Sequence, residues 1–215
     1  MTWNEINGSG DVHGNTDTTG HYWYYLASSA DGTKLVASDD DNAALWTSTD
    51  SGMTWNMIDG SGDVHGNTDT TGNYWSSLVS SADGTKLVAS DDNNGALWTS
   101  TDSGMTWNEI DGSGDVHGNT NTSGWYWNSV ASSDDGTKLI AADQDDQALW
   151  TSTDSGMTWN EIDGSGGEHG NTNTQGQNWY SLSSSSDGAK LIAYNQGEGS
   201  NVWTSTDSGM TWQSN

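Results

Sequence analysis

The chain has 215 residues, with 30 acidic residues, four lysines and no arginine, which gives a formal net charge of −26. Such a charge repels nucleic acid and anionic membrane surfaces, so functions that depend on binding either of them are excluded. The chain has no cysteine for a disulfide framework, and no apolar run approaches the ~20 residues of a membrane span.

A block that begins at Met1 returns at Met53, Met105 and Met157, so the sequence is an array of near-identical repeats. We predict one repeat domain over residues 1–215, composed of repeats 1–52, 53–104, 105–156 and 157–209 and a closing strand at 210–215. The 14 tryptophans and seven tyrosines recur at fixed positions of the repeat and can build a core. We therefore expect the chain to fold in spite of its polarity.

Each repeat is predicted to contain four short strands bounded by Gly, Asp, Asn and Ser, which favour turns. In chain order, a first copy of strand D is followed by strands A, B, C and D, at Thr2–Ile6, Tyr22–Ser28, Lys34–Ser38, Ala44–Ser48 and Thr54–Ile58. No segment has a sustained helical period. Four strands per unit and this repeat length predict an all-β propeller of four-stranded antiparallel blades, with four blades per chain.

The turn between strands C and D has the sequence STDSGMTW, from Ser48 to Trp55, and recurs at residues 100–107, 152–159 and 205–212. It resembles the Asp-box of sialidases, sortilin-type domains and many bacterial propellers. We expect the carboxylate of Asp50 to accept hydrogen bonds from turn N–H groups, Gly52 to adopt a positive φ and Trp55 to cover the turn. The resemblance implies that the box is structural and remote from the binding face.

The resemblance to sialidases does not extend to their activity. As a family, sialidases clamp the substrate carboxylate with an arginine cluster, and this chain has no arginine. Fourfold repetition also favours equal weak sites over one differentiated catalytic centre. We therefore expect a protein that is not an enzyme.

If strand A is innermost and the strands follow one another outward, the D–A and B–C loops share one face of the propeller. Each D–A loop carries the sequence His-Gly-Asn-Thr, called here the HGNT segment. We expect this face to bind carbohydrate, because Asn hydrogen-bonds sugar hydroxyls and an aromatic ring stacks on the sugar. The candidate ligand-binding residues are His13, Asn15, His65, Asn67, His117, Asn119, His169, Asn171, Tyr22 and Trp125.

Two other interpretations of the loops stay open. The HGNT segment is, in one of them, a turn between blades, in which His caps backbone groups and Asn and Gly supply left-handed conformations. In the other, the acidic B–C loops bind Ca²⁺, whose preferred ligands are carboxylate and carbonyl oxygens. The candidate metal ligands are Asp39, Asp41, Asp91 and Asp143.

The other acidic residues are expected to keep the protein soluble. The lysine that begins each strand B is interpreted as a solvated edge charge (Lys34, Lys86, Lys138 and Lys190).

Closure of the ring has two solutions, because the chain begins and ends with a copy of strand D. We favour a ring of four blades in one chain over a ring of eight blades shared by a homodimer.

The function that we favour is a lectin-like module that binds glycan or another cell-surface ligand, outside the cell or on its surface, although no signal peptide is visible. The alternative is a structural or assembly propeller, or an engineered fragment of a longer array, with no small-molecule ligand.

Overall fold

The computed structural model describes residues 4–9, 16–62, 66–114, 118–196 and 201–214. These residues contain sixteen β-strands, numbered in chain order, and one short 3₁₀ helix at Gly167–His169. The strands are β1 Trp23–Ser28, β2 Leu35–Asp39, β3 Ala44–Ser48, β4 Asn56–Met57, β5 Trp75–Ser80, β6 Leu87–Asp91, β7 Ala96–Ser100, β8 Asn108–Glu109, β9 Trp127–Ser132, β10 Leu139–Asp143, β11 Ala148–Ser152, β12 Asn160–Glu161, β13 Trp179–Ser184, β14 Leu191–Asn195, β15 Val202–Ser205 and β16 Gln213–Ser214.

The strands form four antiparallel sheets of four strands each, and every sheet pairs its strands in chain order. We call these sheets blades 1 to 4. The register repeats from blade to blade: Leu139 of β10 pairs with Ser132 of β9 and Ser152 of β11, as Leu35 of β2 pairs with Ser28 and Ser48 in blade 1. The predicted all-β architecture with four blades per chain is confirmed.

Strand D is shorter than the sequence predicts. β4 contains only Asn56 and Met57, and it does not begin earlier because the N–H of Trp55 donates instead to the hydroxyl of Thr16 at 2.8 Å. In the predicted first copy of strand D, Thr2 and Trp3 lie outside the described residues and residues 4–6 form no strand. Each structural blade therefore takes its outermost strand from the following sequence repeat.

The turn between strands C and D has the predicted local geometry. Asp50 Oδ1 accepts the Thr54 N–H at 2.8 Å, and Asp50 Oδ2 accepts the Thr54 hydroxyl at 2.6 Å. Gly52 has a φ of 86°, and Trp55 Nε1 donates to its carbonyl at 3.1 Å. The same bonds occur in the other three copies, so this turn fixes the entry of every outer strand.

Three apolar cores lie between successive blades. In the first, Val36, Leu45 and Ile58 of blade 1 pack against blade 2, which contributes Trp75, Leu78, Leu87, Ala89 and Trp107. Equivalent residues fill the interfaces between blades 2 and 3 and between blades 3 and 4. The innermost strands β1, β5, β9 and β13 converge on a central channel of about 280 Å³.

Within the described residues, no comparable interface joins blade 4 to blade 1. Leu26 of β1 is 69% exposed, whereas its equivalents Leu78 and Val130 are 7% and 5% exposed. At the other end of the array, Ile192 is 48% exposed, although the equivalent Ile140 is completely buried. Whether the four blades close a ring on their own therefore stays a prediction, because the described residues show no apolar core between blades 4 and 1.

The turns between strands A and B link neighbouring blades by hydrogen bonds. The N–H of Ala30 donates to the carbonyl of Ala82 at 2.7 Å, and that of Ala82 donates to Asp134 at 2.7 Å. Asp134 continues the series by donating to Ser186 at 2.8 Å. Lys138 Nζ also crosses between blades and donates to the Asp187 carbonyl at 2.9 Å, as Lys86 Nζ does to Asp135. Besides being solvated edge charges, these two lysines therefore link neighbouring blades, because their long side chains reach the next turn.

Candidate functional site

The HGNT segments lie along the outer edges of the blades. The N–H groups of Asn67, Asn119 and Asn171 donate to the carbonyls of Met105, Met157 and Met210 at the start of the next strand D. The neighbouring threonine hydroxyls accept the N–H of the following tryptophan, at 2.8 Å for the pairs Thr68–Trp107 and Thr120–Trp159. These contacts give hydrogen-bond partners to backbone N–H and C=O groups that would otherwise be unpaired at the edge of the sheet. They favour the structural interpretation of this segment.

The predicted ligand-binding residues are thus dispersed, and part of them cannot be placed. His13, Asn15, His65 and His117 lie outside the described residues. His169 is exposed, with Nδ1 3.0 Å from the Glu161 carbonyl oxygen, as expected of a backbone cap. Tyr22 is 70% exposed on blade 1, and Trp125 is half-buried at the junction between blades 2 and 3. Of the described members of this set, Trp125 alone lines a pocket that lies between blades 2 and 3.

Three of the predicted metal ligands cap their own loops. Asp39, Asp91 and Asp143 are buried at the ends of β2, β6 and β10, and Oδ1 of each accepts the N–H two residues further on, at 2.8 to 3.0 Å. Burial raises the pKa of Asp143 to about 6 and also raises the pKa of Asp91. Since each carboxylate belongs to a different blade, the structure does not bring these three together.

Blade 1 places one nitrogen and two carboxylate ligands together. His21, Asp39 and Asp41 have potential ligand atoms within 4.8 Å of one another, and His21 Nδ1 is 2.8 Å from Asp39 Oδ2. Burial raises the pKa of Asp39, but hydrogen bonds from Asn42 and His21 outweigh this effect and the pKa is lowered. A site with an imidazole nitrogen suits Zn²⁺ or Cu²⁺ better than Ca²⁺. Calcium binding by these loops stays a prediction.

A pocket of about 200 Å³ lies between the B–C loop of blade 2 and the segment that enters blade 3. It is lined by Asp92, Asn93, Asn94, Gly95, Gly124, Trp125, Tyr126 and Asp145. Two backbone hydrogen bonds hold its walls together, from Gly124 N–H to the Asn94 carbonyl at 2.9 Å and from Trp125 N–H to the Gly95 carbonyl at 3.1 Å. The Trp125 ring packs on Trp150, with ring centroids 5.4 Å apart. The loops and this packing therefore fix the position of the ring.

Gly95 permits the close approach of the two walls. A Cβ at this position would lie 2.3 Å from the Trp125 carbonyl oxygen, and the φ of 63° is itself unfavourable for a larger residue. The equivalent positions in blades 1 and 3, Ala43 and Gln147, also have positive φ but carry side chains. The backbone hydrogen bond is nevertheless kept at these junctions, from Asn73 N–H to the Ala43 carbonyl at 3.1 Å and from Gln177 N–H to the Gln147 carbonyl at 3.2 Å, so the glycine changes the side-chain space and not the pairing.

Asp92 gives the pocket an unusual acceptor. Its Oδ1 is buried and has no hydrogen-bond donor within the described residues. Desolvation raises the pKa of Asp92, while the nearby hydroxyls of Ser76 and Tyr126 act in the opposite direction. The Asp92 charge, in turn, raises the pKa of Tyr126.

The chemistry of the pocket differs from that of the equivalent positions in the other blades. Trp125 and Tyr126 are replaced by His21 and Tyr22 in blade 1, by Asn73 and Tyr74 in blade 2, and by Gln177 and Asn178 in blade 4. Trp125 was predicted from the sequence and is the one tryptophan at this position of the repeats, whereas Asp92, Tyr126 and Asp145 were missed as its neighbours. They carried no such signal, since Tyr22, Asp40 and Asp41 stand at the equivalent positions of blade 1.

The fold of this chain is similar to solved structures of large propeller proteins, at low sequence identity. The GH74 xyloglucanase from Xanthomonas campestris matches with a TM-score of 0.59 and 18% identity, over 88% of this chain and 29% of that chain. The GH74 enzyme from Niastella koreensis matches with a TM-score of 0.64 and 17% identity, over 94% and 26%. A chain of the nidogen/laminin complex matches with a TM-score of 0.60 and 10% identity, over 93% and 66%.

These similarities and the four blades define the protein as a β-propeller. No family model matches the sequence, and no curated protein matches it. The chain spans only part of the length of the structures that it resembles, as the coverage above shows. Among the described residues, no helix is long and apolar enough to cross a membrane.

Proposed function

We propose that this protein is a non-catalytic module, located outside the cell or on its surface, that binds carbohydrate in the pocket between blades 2 and 3. The observation that carries this proposal is the pairing of Trp125 and Tyr126 with Asp92, Asn93 and Asp145 in one pocket. An aromatic ring provides an apolar face for a sugar ring, and the carboxylate and amide groups match sugar hydroxyls, which both donate and accept.

Two further features support this ligand class. The surplus of carboxylates disfavours anionic ligands and leaves neutral sugars as suitable ones. One of the structural neighbours is a xyloglucanase, so a protein of similar fold acts on a polysaccharide. The small volume of the pocket suits a single sugar unit or the end of a glycan chain.

A glycan array followed by calorimetry on the best hit tests the proposal. The repeats supply conservative variants: Trp125→Asn introduces the residue found at this position in blade 2, and Tyr126→Asn introduces the residue of blade 4. We expect each to weaken binding at least about tenfold, which corresponds to 1.4 kcal/mol. Tyr74→Asn makes the same change at the equivalent position of blade 2 and serves as the control, with affinity unchanged.

An array with no hits beside a positive control lectin would overturn the proposal, as would hits that Trp125→Asn and Tyr126→Asn leave unchanged. Two carboxylates, Asp92 and Asp145, line the pocket, so release of reducing sugar from bound glycans should be measured as well. We expect no release. Release that Asp92→Asn abolishes would make the protein a hydrolase and contradict the non-catalytic part of the proposal.

A further inference from the structure

The two ends of the blade array expose complementary halves of one interface. Blade 1 presents an apolar pocket of about 220 Å³ lined by Ile6, Thr18, Trp23, Leu26, Ala37 and Trp55. Each lining residue is the repeat equivalent of one at the interface between blades 1 and 2, namely Ile58, Thr70, Trp75, Leu78, Ala89 and Trp107. The exposed pocket is therefore an interface of the same kind without its neighbour.

The interface between blades 1 and 2 shows which side chains pack against the equivalent of this pocket inside the array. Val36 and Leu45 of blade 1 pack against Trp75, Leu78 and Trp107 of blade 2. Their equivalents in the last blade are Ile192 and Val202, which are 48% and 42% exposed. Blade 4 thus carries the side chains that the pocket of blade 1 accommodates. We propose that blade 4 of one copy docks on blade 1 of a second copy, and that two copies close an eight-bladed ring with two identical junctions.

Hydrogen-bonding groups at both ends match in the same way. Inside the array, the N–H of Asp134 donates to the next turn at Ser186, and Lys138 donates to the carbonyl of Asp187. At the junction, Ser186 N–H and Lys190 take the corresponding donor positions, facing the carbonyls of the partner's Ala30 and Asp31. Lys190 is exposed in the single chain, whereas Lys34, Lys86 and Lys138 are half-buried.

Two further contacts between blades 1 and 2 have equivalents at the proposed junction. They involve Thr70, in the segment that leads from β4 to β5, and Ile58, which precedes this segment. Thr70 accepts the N–H of Leu45, and the Ile58 N–H donates to the Leu45 carbonyl at 2.8 Å. Val202 stands at the position of Leu45, and Thr18 of the second copy at that of Thr70. Ile6 of the second copy, which lines the pocket of blade 1, is the equivalent of Ile58.

Electrostatic repulsion opposes this assembly, since each copy carries a net charge of −26. Salt screens the repulsion between exposed charges but leaves the apolar contacts in place. Association should therefore strengthen from low salt to about 1 M salt. This dependence is opposite to that of an assembly held by ion pairs.

Sedimentation velocity and native mass spectrometry of the full chain test the proposal. We expect the mass of two copies, and a single-copy mass for Leu26→Asp and for Ile192→Asp. Both residues are exposed in the single chain, so the variants should keep the circular dichroism spectrum of folded protein. Tyr74→Asn, which changes an exposed residue on neither end, is the matched control and should remain dimeric. A mixture of the two Asp variants should recover some dimer, because one of the two junctions then has both wild-type faces.

Disulfide trapping gives a second measurement that does not rely on disrupting the interface. The chain has no cysteine, so Ala30→Cys and Ser186→Cys variants should cross-link to each other on oxidation but not to themselves. The double variant Ala30→Cys, Ala82→Cys should close within one chain and calibrates the turn geometry, because the two turns are hydrogen-bonded. A monomeric wild-type chain at high concentration and salt, a dimer unaffected by both Asp variants, or a head-to-tail polymer without a closed pair would each overturn the proposal.

Discussion

The hydroxyl of Thr70 accepts the N–H of Leu45 at 3.0 Å and donates to the carbonyl of Ile58 at 2.6 Å, so one side chain ties the crossover into blade 2 to the edge of blade 1. Thr122 and Thr174 make the same pair of bonds at the next two crossovers. All three threonines are buried. The relative position of successive blades therefore depends on buried polar contacts as well as on apolar packing.

Replacing Thr70 by valine should destabilise the protein by about 1–3 kcal/mol, because it keeps the shape but leaves the buried N–H of Leu45 without a partner and removes one of the two donors to the Ile58 carbonyl. Urea unfolding followed by tryptophan fluorescence measures the effect. Thr70→Ser keeps the hydroxyl and should cost clearly less. Equal losses for the two variants would mean that the methyl group, and not the hydrogen bonds, matters.

The lysines of blades 3 and 4 provide a matched pair. Lys138→Met should lower the free energy of unfolding by about 0.5–1.5 kcal/mol, because its Nζ donates to the Asp187 carbonyl of the next blade. Lys190→Met should have little effect on the folding of a single chain. The comparison is best made in the monomeric Leu26→Asp background, by denaturant titration. A Lys190 effect as large as that of Lys138 there would contradict the assignment of these lysines to blade contacts.

Gly95→Ala should be more destabilising than Gly72→Ala. Both glycines have positive φ, at 63° and 83°, so each substitution costs roughly 1 kcal/mol for backbone conformation. A Cβ at Gly72 meets nothing within 4 Å, whereas one at Gly95 overlaps the Trp125 carbonyl. We expect Gly95→Ala to lose at least about 2 kcal/mol more by thermal unfolding, and to impair glycan binding. Similar melting temperatures for the two variants would show that the junction can widen freely.

Stability should depend on pH in two opposite ways. Asp143 has a folded-state pKa of about 6, above its usual 3.8, because it is buried, so the folded state binds more protons between these values. Its contribution to the free energy of unfolding therefore falls as the pH rises from about 4 to 6, by about 3 kcal/mol at most. Hydrogen bonds in the turns between strands A and B lower the pKa of Asp31 and Asp135 to about 2, and this contribution is lost as the pH falls from about 4 to 2.

Calorimetric melting temperatures across pH 2 to 8 check this expectation, with a maximum between about pH 4 and 5. Asp143→Asn removes the titrating group and should flatten the descent between pH 4 and 6 but leave the acid limb unchanged. A slope that persists in full in this variant would assign the effect to the general repulsion among the acidic residues.

The amino-acid sequence by itself determined the repeat, three of the four strands of each blade and the geometry of the turn from Ser48 to Trp55. These features are local: alternation, turn residues and hydrogen bonds such as that from Thr54 to Asp50 span a few residues. Strand D was predicted too long, because its first residues bond to Thr16, which lies 39 residues earlier in the chain.

The tertiary structure alone decided where the repeats differ in environment. It placed Asn67 and its equivalents on a strand edge, brought Trp125, Tyr126 and Asp92 into one pocket, and left Leu26 and Ile192 exposed at the two ends. The physical reason is that near-identical repeats carry near-identical local preferences. Whether a given Leu or Ile is buried depends on the presence of a neighbouring blade, and that is set by how the blades pack around the axis.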